Sequence, residues 1–167
     1  MDIYRPQFQL TYNSPCSILR IYSNGNGVNK IERIYEYNNT SDDPDEYCKQ
    51  AKKELEEYFD GRRTGFDVEI DLSQGTIFQQ AVWNQLLNIP FGKTKSYGQL
   101  AHDMNNPKAV RAVGTANGKN PILIIVPCHR IIGADGSLTG FSAGIDLKKN
   151  LLGLEQSKTV GSQISLF

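Results

Sequence analysis

Pro127-Cys128-His129-Arg130 sets a thiol, an imidazole and a guanidinium on consecutive residues, directly after the aliphatic run at 122–126. A thiol with pKa about 8.5 is mostly protonated at neutral pH, and a nearby base or positive charge is what releases the nucleophilic thiolate. The chain has two histidines, His102 and His129, and one stands beside a cysteine, which points to Cys/His nucleophilic chemistry. Burial statistics favour a plainer reading by about two to one: a cysteine after an apolar run as an inert core residue. The run, between Pro121 and Pro127, predicts a buried strand with Cys128 emerging at its end. Neighbours in a straight strand point to opposite faces, so His129 serves Cys128 only if the chain turns at once or water bridges them.

The elements upstream are helical. Phe78, Val82, Trp83, Leu86 and Leu87 recur at helical spacing until Ile89-Pro90-Phe91-Gly92 breaks the pattern. Ser96 is placed to cap a short helix through Asp103, and Asn105-Asn106-Pro107 to cap and open a second one ending near Gly118. Two short helices joined by a tight turn are the skeleton of a helix-turn-helix. In the second, Ala109, Ala112, Val113 and Ala116 form one stripe expected to face the core, with Arg111 and Thr115 roughly opposite. A slim helix presenting Arg suits a nucleic-acid groove, and equally a solvated face. Residues 7–37 alternate apolar and polar around Ser23-Asn24-Gly25-Asn26-Gly27, predicting an antiparallel meander. Ser41-Asp42-Asp43-Pro44 reads as the start of a helix to Phe59, closed by Asp60-Gly61, and residues 66–72 can add a strand.

Composition narrows the classes. With 167 residues, 39% of them hydrophobic, the chain can build a real core, which excludes a disordered or low-complexity segment. The longest apolar run, at 122–126, is far too short to span a bilayer. Met1-Asp2-Ile3-Tyr4-Arg5 carries no secretory pattern, and three irregularly spaced cysteines make no disulfide framework, so a reducing, cytoplasmic setting is expected. Eighteen basic residues balance eighteen acidic ones, but unevenly. Residues 41–72 hold eleven acids against five bases, whereas residues 91–130 hold six bases against Asp103 alone. Phosphate binding follows local potential rather than the total.

These residues resemble a known family. Pro127-Cys128-His129-Arg130 looks like the active-site motif of the O6-alkylguanine-DNA alkyltransferases, suicide DNA-repair methyltransferases. The resemblance continues through residues 78–92 (FQQAVWNQLLNIPFG), Ser96-Tyr97-Gly98-Gln99-Leu100-Ala101, and Arg111-Ala112-Val113-Gly114 to Asn120-Pro121. It also takes in Gly140-Phe141-Ser142-Ala143-Gly144, Leu151-Leu152 and Glu155, so roughly residues 70–156 are covered. The implied fold is α/β (α+β). A ribonuclease-H-like sheet with a helix fills residues 1–74, and a DNA-binding alkyltransferase domain with a winged-helix-like helix-turn-helix fills residues 75–156. Residues 157–167 form a tail.

The resemblance also implies a mechanism. Cys128 is nucleophile and permanent acceptor, His129 takes the thiol proton through a bridging water, and Glu155 orients the imidazole. Tyr97 donates toward N3 of guanine, the Ser142 N–H faces O6, the carbonyls of Cys128 and Ile131 accept from the exocyclic amine, and Asn120 holds the turn. Arg111 is the finger that replaces a base flipped from the stack, with Lys108, Ala112, Gly114 and Thr115 on the DNA face. The expected activity is stoichiometric, irreversible transfer from O6-alkylguanine, and from O4-methylthymine, in double-stranded DNA. The protein would act as a monomer without cofactor, metal or membrane. The sulfur is expected to stand ionised beside a cavity opening toward the basic helix pair. Plainer roles stay open for Tyr97 (a half-buried aromatic), Asn120 (a turn residue) and Ser142 (a helix cap). Trp83 reads as core and His102 as surface. Two other classes stay open as well: a non-enzymatic lesion-binding relative, which would lack the acceptor cysteine, and a thiol hydrolase or peroxidatic protein turning over without DNA.

Overall fold

The computed structural model describes the backbone of residues 7–37, 41–138 and 140–164, and side chains through residue 158. The chain mixes α and β and divides into two compact units, Met1–Leu72 and Ser73–Phe167.

In the first unit, β1 (Phe8–Asn13), β2 (Ile18–Ser23) and β3 (Val28–Ile34) form an antiparallel sheet in the order β1-β2-β3. Leu10, Ile21 and Ile31 lie in register across it, and Leu19 and Ile21, two apart, are both fully buried. Helix α1 (Glu46–Phe59) buries Cys48, Ala51, Leu55 and Tyr58, a helical stripe. It starts later than the Ser41 signal suggests. Asp43 is held extended by exchanging backbone hydrogen bonds with Gln9, both 3.0 Å, and Asp45 is the cap, accepting from the Cys48 N–H at 2.9 Å. Residues 66–72 make only a parallel bridge, Val28 to Ile70, rather than a strand. The buried Glu54 carboxylate takes the N–H groups of Asp67 and Val68 that a strand partner would otherwise satisfy.

The second unit comprises α2 (Ile77–Leu86), β4 (Lys95–Ser96), α3 (Tyr97–Asp103), α4 (Val110–Gly118), a 3-10 turn (Cys128–Arg130), β5 (Ile131–Ile132) and α5 (Ile145–Ile164). Thr76 and Ser96 open α2 and α3 through reciprocal capping boxes with Gln79 and Gln99. Trp83 is buried, and its Nε1–H donates to the Ala116 carbonyl at 2.9 Å, fixing α2 against α4. Gly75 makes room for that ring: a Cβ there would sit 2.2 Å from Trp83 Cζ3. Among the described residues no helix is long and apolar enough to cross a membrane.

Two sequence expectations fail here. Helix α4 begins at Val110, three residues after Pro107, and its cap position is Ala109, which has no side-chain acceptor; residues 106–109 form a turn closed by the Ala109 N–H on the Asn106 carbonyl. The expected core stripe also splits. Val113 and Ala116 are buried with Asn117, while Ala112 is exposed beside Arg111.

The larger departure precedes Cys128. Residues 122–126 are a buried turn, not a strand: the Val126 N–H returns to the Ile122 carbonyl at 3.1 Å, and the Ile125 N–H to Leu123 at 2.8 Å. Ile124 has φ 72°, a left-handed conformation that a β-branched residue reaches only at a cost of about 1–3 kcal/mol. Asn120 holds it there. Its amide N–H groups reach the carbonyls of Val126 (2.7 Å) and Ile122 (3.3 Å), and its Oδ1 accepts from the Ile122 N–H at 2.9 Å. A buried turn keeps backbone groups that no ladder satisfies, and this one side chain satisfies three of them.

Candidate active site

The 3-10 turn begins at Cys128, so the chain does turn at once after Pro127, and the opposite-faces objection to a Cys/His pair falls away. Directly after it, β5 pairs in parallel with β4, Ile131 against Lys95 and Ile132 against Ser96. That short ladder ties the cysteine turn to the start of α3, where Tyr97 stands. Helix α5 closes the site with a buried stripe of Leu147, Lys148, Leu151 and Glu155.

His129 and Glu155 are completely buried, with His129 Nε2 2.7 Å from Glu155 Oε1. A carboxylate only accepts, so Nε2 carries the proton and Nδ1 keeps its lone pair. Nδ1 is buried and has no hydrogen-bond partner among the described residues, which makes it the free base of the pair. Burial lowers the His129 pKa more than Glu155 raises it, so the ring is neutral. Glu155 is also gripped by Arg130: Nε at 3.0 Å from Oε2 and Nη2 at 2.9 Å from Oε1, while the Gly92 N–H adds 3.3 Å to Oε2. Burial pushes its carboxyl up, but the bonds from His129 and Arg130 prevail and hold it at about 2.

The sulfur differs from expectation. Cys128 is 3% exposed, and burial pushes its thiol up to about 11 against the lowering influence of the Asn120 amide, Lys148 and the backbone N–H groups of Cys128 and His129. In the free protein it is therefore a thiol, not a standing thiolate, because desolvation outweighs every anion-favouring group around it.

Other expected site residues fall around this centre. The Tyr97 ring lies 3.5 Å from where a Cβ on Gly114 would sit, and its hydroxyl 3.5 Å from a Cβ on Gly140, whose φ is +71°. The carbonyls of Cys128 and Ile131 each already accept one bond, from the Ile131 N–H and from Lys148 Nζ, leaving one lone pair apiece. Ser142 is exposed in the turn before α5 and does not cap that helix, since residues 143 and 144 intervene. Cys16 and Cys48 are unpaired thiols of the first unit. Among the described residues no group of three His, Cys, Asp or Glu could hold a metal.

Lys108, Arg111, Ala112 and Thr115 line a groove of about 580 Å³ along α4, together with Thr76, Phe78 and Gln79 of the α2 start. Gly114 is not in its wall and backs onto Tyr97 instead. Nor does Cys128 line it, so the expected opening from sulfur to groove is not in this wall. Of the six bases counted between 91 and 130, Arg130 is buried on Glu155 and Lys95 pairs with Asp103. The usable charge is thus smaller than the sequence count and is carried in this groove by Lys108 and Arg111.

Two residues that matter here have a placement the sequence does not show. Arg130 is legible there as a neighbour of the cysteine and one of the basic residues, not as the partner of Glu155. Lys148 was hidden in a polar-looking Lys148-Lys149-Asn150 run, although it stands seven residues, two helical turns, before Glu155.

Comparisons with known proteins bear on the family. The family model of the 6-O-methylguanine DNA methyltransferase DNA-binding domain matches residues 77–157. A Mycobacterium tuberculosis methylated-DNA–protein-cysteine methyltransferase is 49% identical over 152 residues, 89% of this chain and 92% of its own. One from Methanosarcina acetivorans is 53% identical over 113 residues, 68% and 72%. The crystal structure of M. tuberculosis O6-methylguanine methyltransferase superposes with a TM-score of 0.81 at 46% identity, covering 92% of this chain and 94% of that one. M. tuberculosis OGT in complex with DNA gives 0.80 at 48%, covering 89% and 92%. With a buried His129–Glu155 pair directly after Cys128 and likeness along nearly its whole length, this chain belongs to the methylated-DNA–protein-cysteine methyltransferase family.

Proposed function

We propose that this protein repairs O6-alkylguanine in double-stranded DNA by transferring the alkyl group, once and irreversibly, to Cys128. The observation that carries the reading is the His129–Glu155 bond, which protonates Nε2 and leaves Nδ1 as acceptor one residue from the thiol. In the reaction the thiol proton passes to Nδ1 through a bridging water, and the sulfur lone pair forms a bond to the alkyl carbon. The carbon–O6 pair leaves with guanine, which takes a proton from Tyr97 at N3. The Ser142 N–H faces O6, and the free lone pairs on the Cys128 and Ile131 carbonyls receive the exocyclic amine. The product is a thioether with no easy reversal, so one protein serves one lesion.

A thiol at about 11 is ionised to roughly one part in ten thousand at neutral pH. The base at Nδ1 is thus required at the moment of reaction, reached through the one bridging water. Arg111, with Lys108, Ala112 and Thr115, forms the DNA face, and Arg111 fills the stack a flipped base vacates. Gly114 backs onto the Tyr97 ring at ordinary contact distance. The protein acts as a monomer in the cytoplasm, where its three unpaired cysteines stay reduced.

Incubation with duplex DNA carrying a labelled O6-methyl group should place one label per protein, on the peptide containing Cys128. Multiple turnovers, or label on Cys16 or Cys48, would refute the reading. Arg111→Ala should slow repair of duplex while leaving reaction with free alkylguanine base intact, and equal loss on both would remove the finger role.

A further inference from the structure

Lys148 is fully buried, whereas its neighbour Lys149 is exposed. Lysine is almost never fully buried without a compensating environment, so its position calls for a cause. Its Nζ donates to the Ile131 carbonyl and lies 5.8 Å from the centre of the Phe141 ring. Burial lowers the Lys148 pKa, and against it the Cys128 sulfur favours the ammonium just as the ammonium favours the thiolate. Seven residues on, the same face of α5 presents Glu155, about 10 Å further along the axis. One helix thus delivers an anion behind the base and a cation behind the nucleophile.

We infer that Lys148 is a positioning residue for alkyl transfer: its buried ammonium fixes the Ile131 carbonyl and balances the charge that develops on Cys128 sulfur. The inference rests on the proposed function. Among the described residues, the ionisable groups about this turn are Cys128, His129 and Arg130 on the turn itself, Lys148 and Glu155 from α5, and Tyr97 after the strand paired with β5. Arg130 is committed to Glu155 and the Ile89 carbonyl, and His129 is neutral until it takes the proton. Lys148 is then the cation coupled to the sulfur before proton transfer begins. Its bond to Ile131 also aims that carbonyl, the one proposed to receive the exocyclic amine of guanine, so the same ammonium sets nucleophile and substrate acceptor together.

The test compares wild type, Lys148→Gln and Lys148→Arg, each checked for folding by near-ultraviolet circular dichroism. Glutamine keeps a donor for Ile131 but drops the charge, and arginine keeps the charge. Two rates are measured against pH: single-turnover transfer from methylated duplex, and alkylation of Cys128 by iodoacetamide. An opposite charge within a few ångströms moves a titration by about 1–3 pH units. Lys148→Gln should therefore slow transfer at least about tenfold and raise the alkylation midpoint by about one pH unit or more, at unchanged DNA affinity. Lys148→Arg should keep the wild-type midpoint. A folded Lys148→Gln with wild-type rate and midpoint overturns the inference, as does a folded Lys148→Arg whose midpoint rises like that of the glutamine variant. Lys148→Met replaces glutamine as the neutral variant should the latter not fold, and the same outcomes apply. Wild type that takes up no methyl label refutes the proposed function instead, which keeps the two failures apart.

Discussion

Removing the charges behind His129 one at a time and then together tests whether a single carboxylate serves both fold and chemistry. Glu155 is fully buried between His129 and Arg130. At 1.36 kcal/mol per pH unit, holding its carboxyl at about 2 rather than 4.5 corresponds to about 3 kcal/mol. That agrees with the roughly 3–5 kcal/mol lost when one partner of a buried pair is deleted and the other charge is stranded. Glu155→Gln and Arg130→Met should each cost about that much, the latter with about 1 kcal/mol more for the Ile89 carbonyl left without its 2.7 Å donor. The double variant strands no charge. It should cost no more than either single change, giving a coupling of about 4 kcal/mol. With urea slopes of about 1–3 kcal/mol/M, each single variant should lose about 1–3 M in midpoint. Additivity within about 0.5 kcal/mol would refute the buried-pair reasoning. Activity supplies the second half of the assay. A glutamine amide can donate to Nε2, moving the ring proton to Nδ1 and removing the base. Transfer should fall by about a hundred- to ten-thousandfold in both the single and the double variant that carry Glu155→Gln. Folded Glu155→Gln transferring at the wild-type rate would refute the tautomer argument.

Acid should destabilise the second unit in two stages of the same sign. Burial depresses the His129 pKa, so its neutral form stabilises above about pH 6.5 and that contribution fades below. Glu155, depressed to about 2, contributes fully above about pH 5 and loses its share as pH falls toward 2. Urea midpoints between pH 3 and 8 check this, and a flat profile below 6.5 would contradict it. Asn120→Ala strips partners from three backbone groups of the 122–126 turn and should cost about 2–4 kcal/mol in urea unfolding. A loss below about 0.5 kcal/mol would show that the turn holds itself. Gly75→Ala drives a methyl to 2.2 Å from the Trp83 ring and should cost about 1–3 kcal/mol, with a shifted Trp fluorescence maximum. Unchanged fluorescence and stability would mean the ring has room to move.

Much of this protein was legible because its signals are local. Alternation over β1, β2 and β3, the capping boxes at Thr76 and Ser96, and the Cys128-His129 pair with a distant Glu155 all depend on residue type at short spacing or on family likeness. The aliphatic run at 122–126 misled, because a short apolar run shows burial without telling strand from turn. Asn120 decided it by supplying the hydrogen bonds a ladder would have given. Residues 66–72 misled likewise, since Glu54, more than ten residues earlier, took their N–H groups. Ala112 left the expected core stripe once α2, locked by Trp83, had chosen which face of α4 to cover. Residue types together with family likeness thus pointed to a cysteine, a histidine and a carboxylate beside a basic helix. Only the tertiary structure decided that the sulfur rests protonated, that Arg130 belongs to Glu155 rather than to the nucleic-acid face, and that Lys148 is buried at the nucleophile. The reason is that burial fixes the cost of charge, and burial depends on what distant segments bring to the same place.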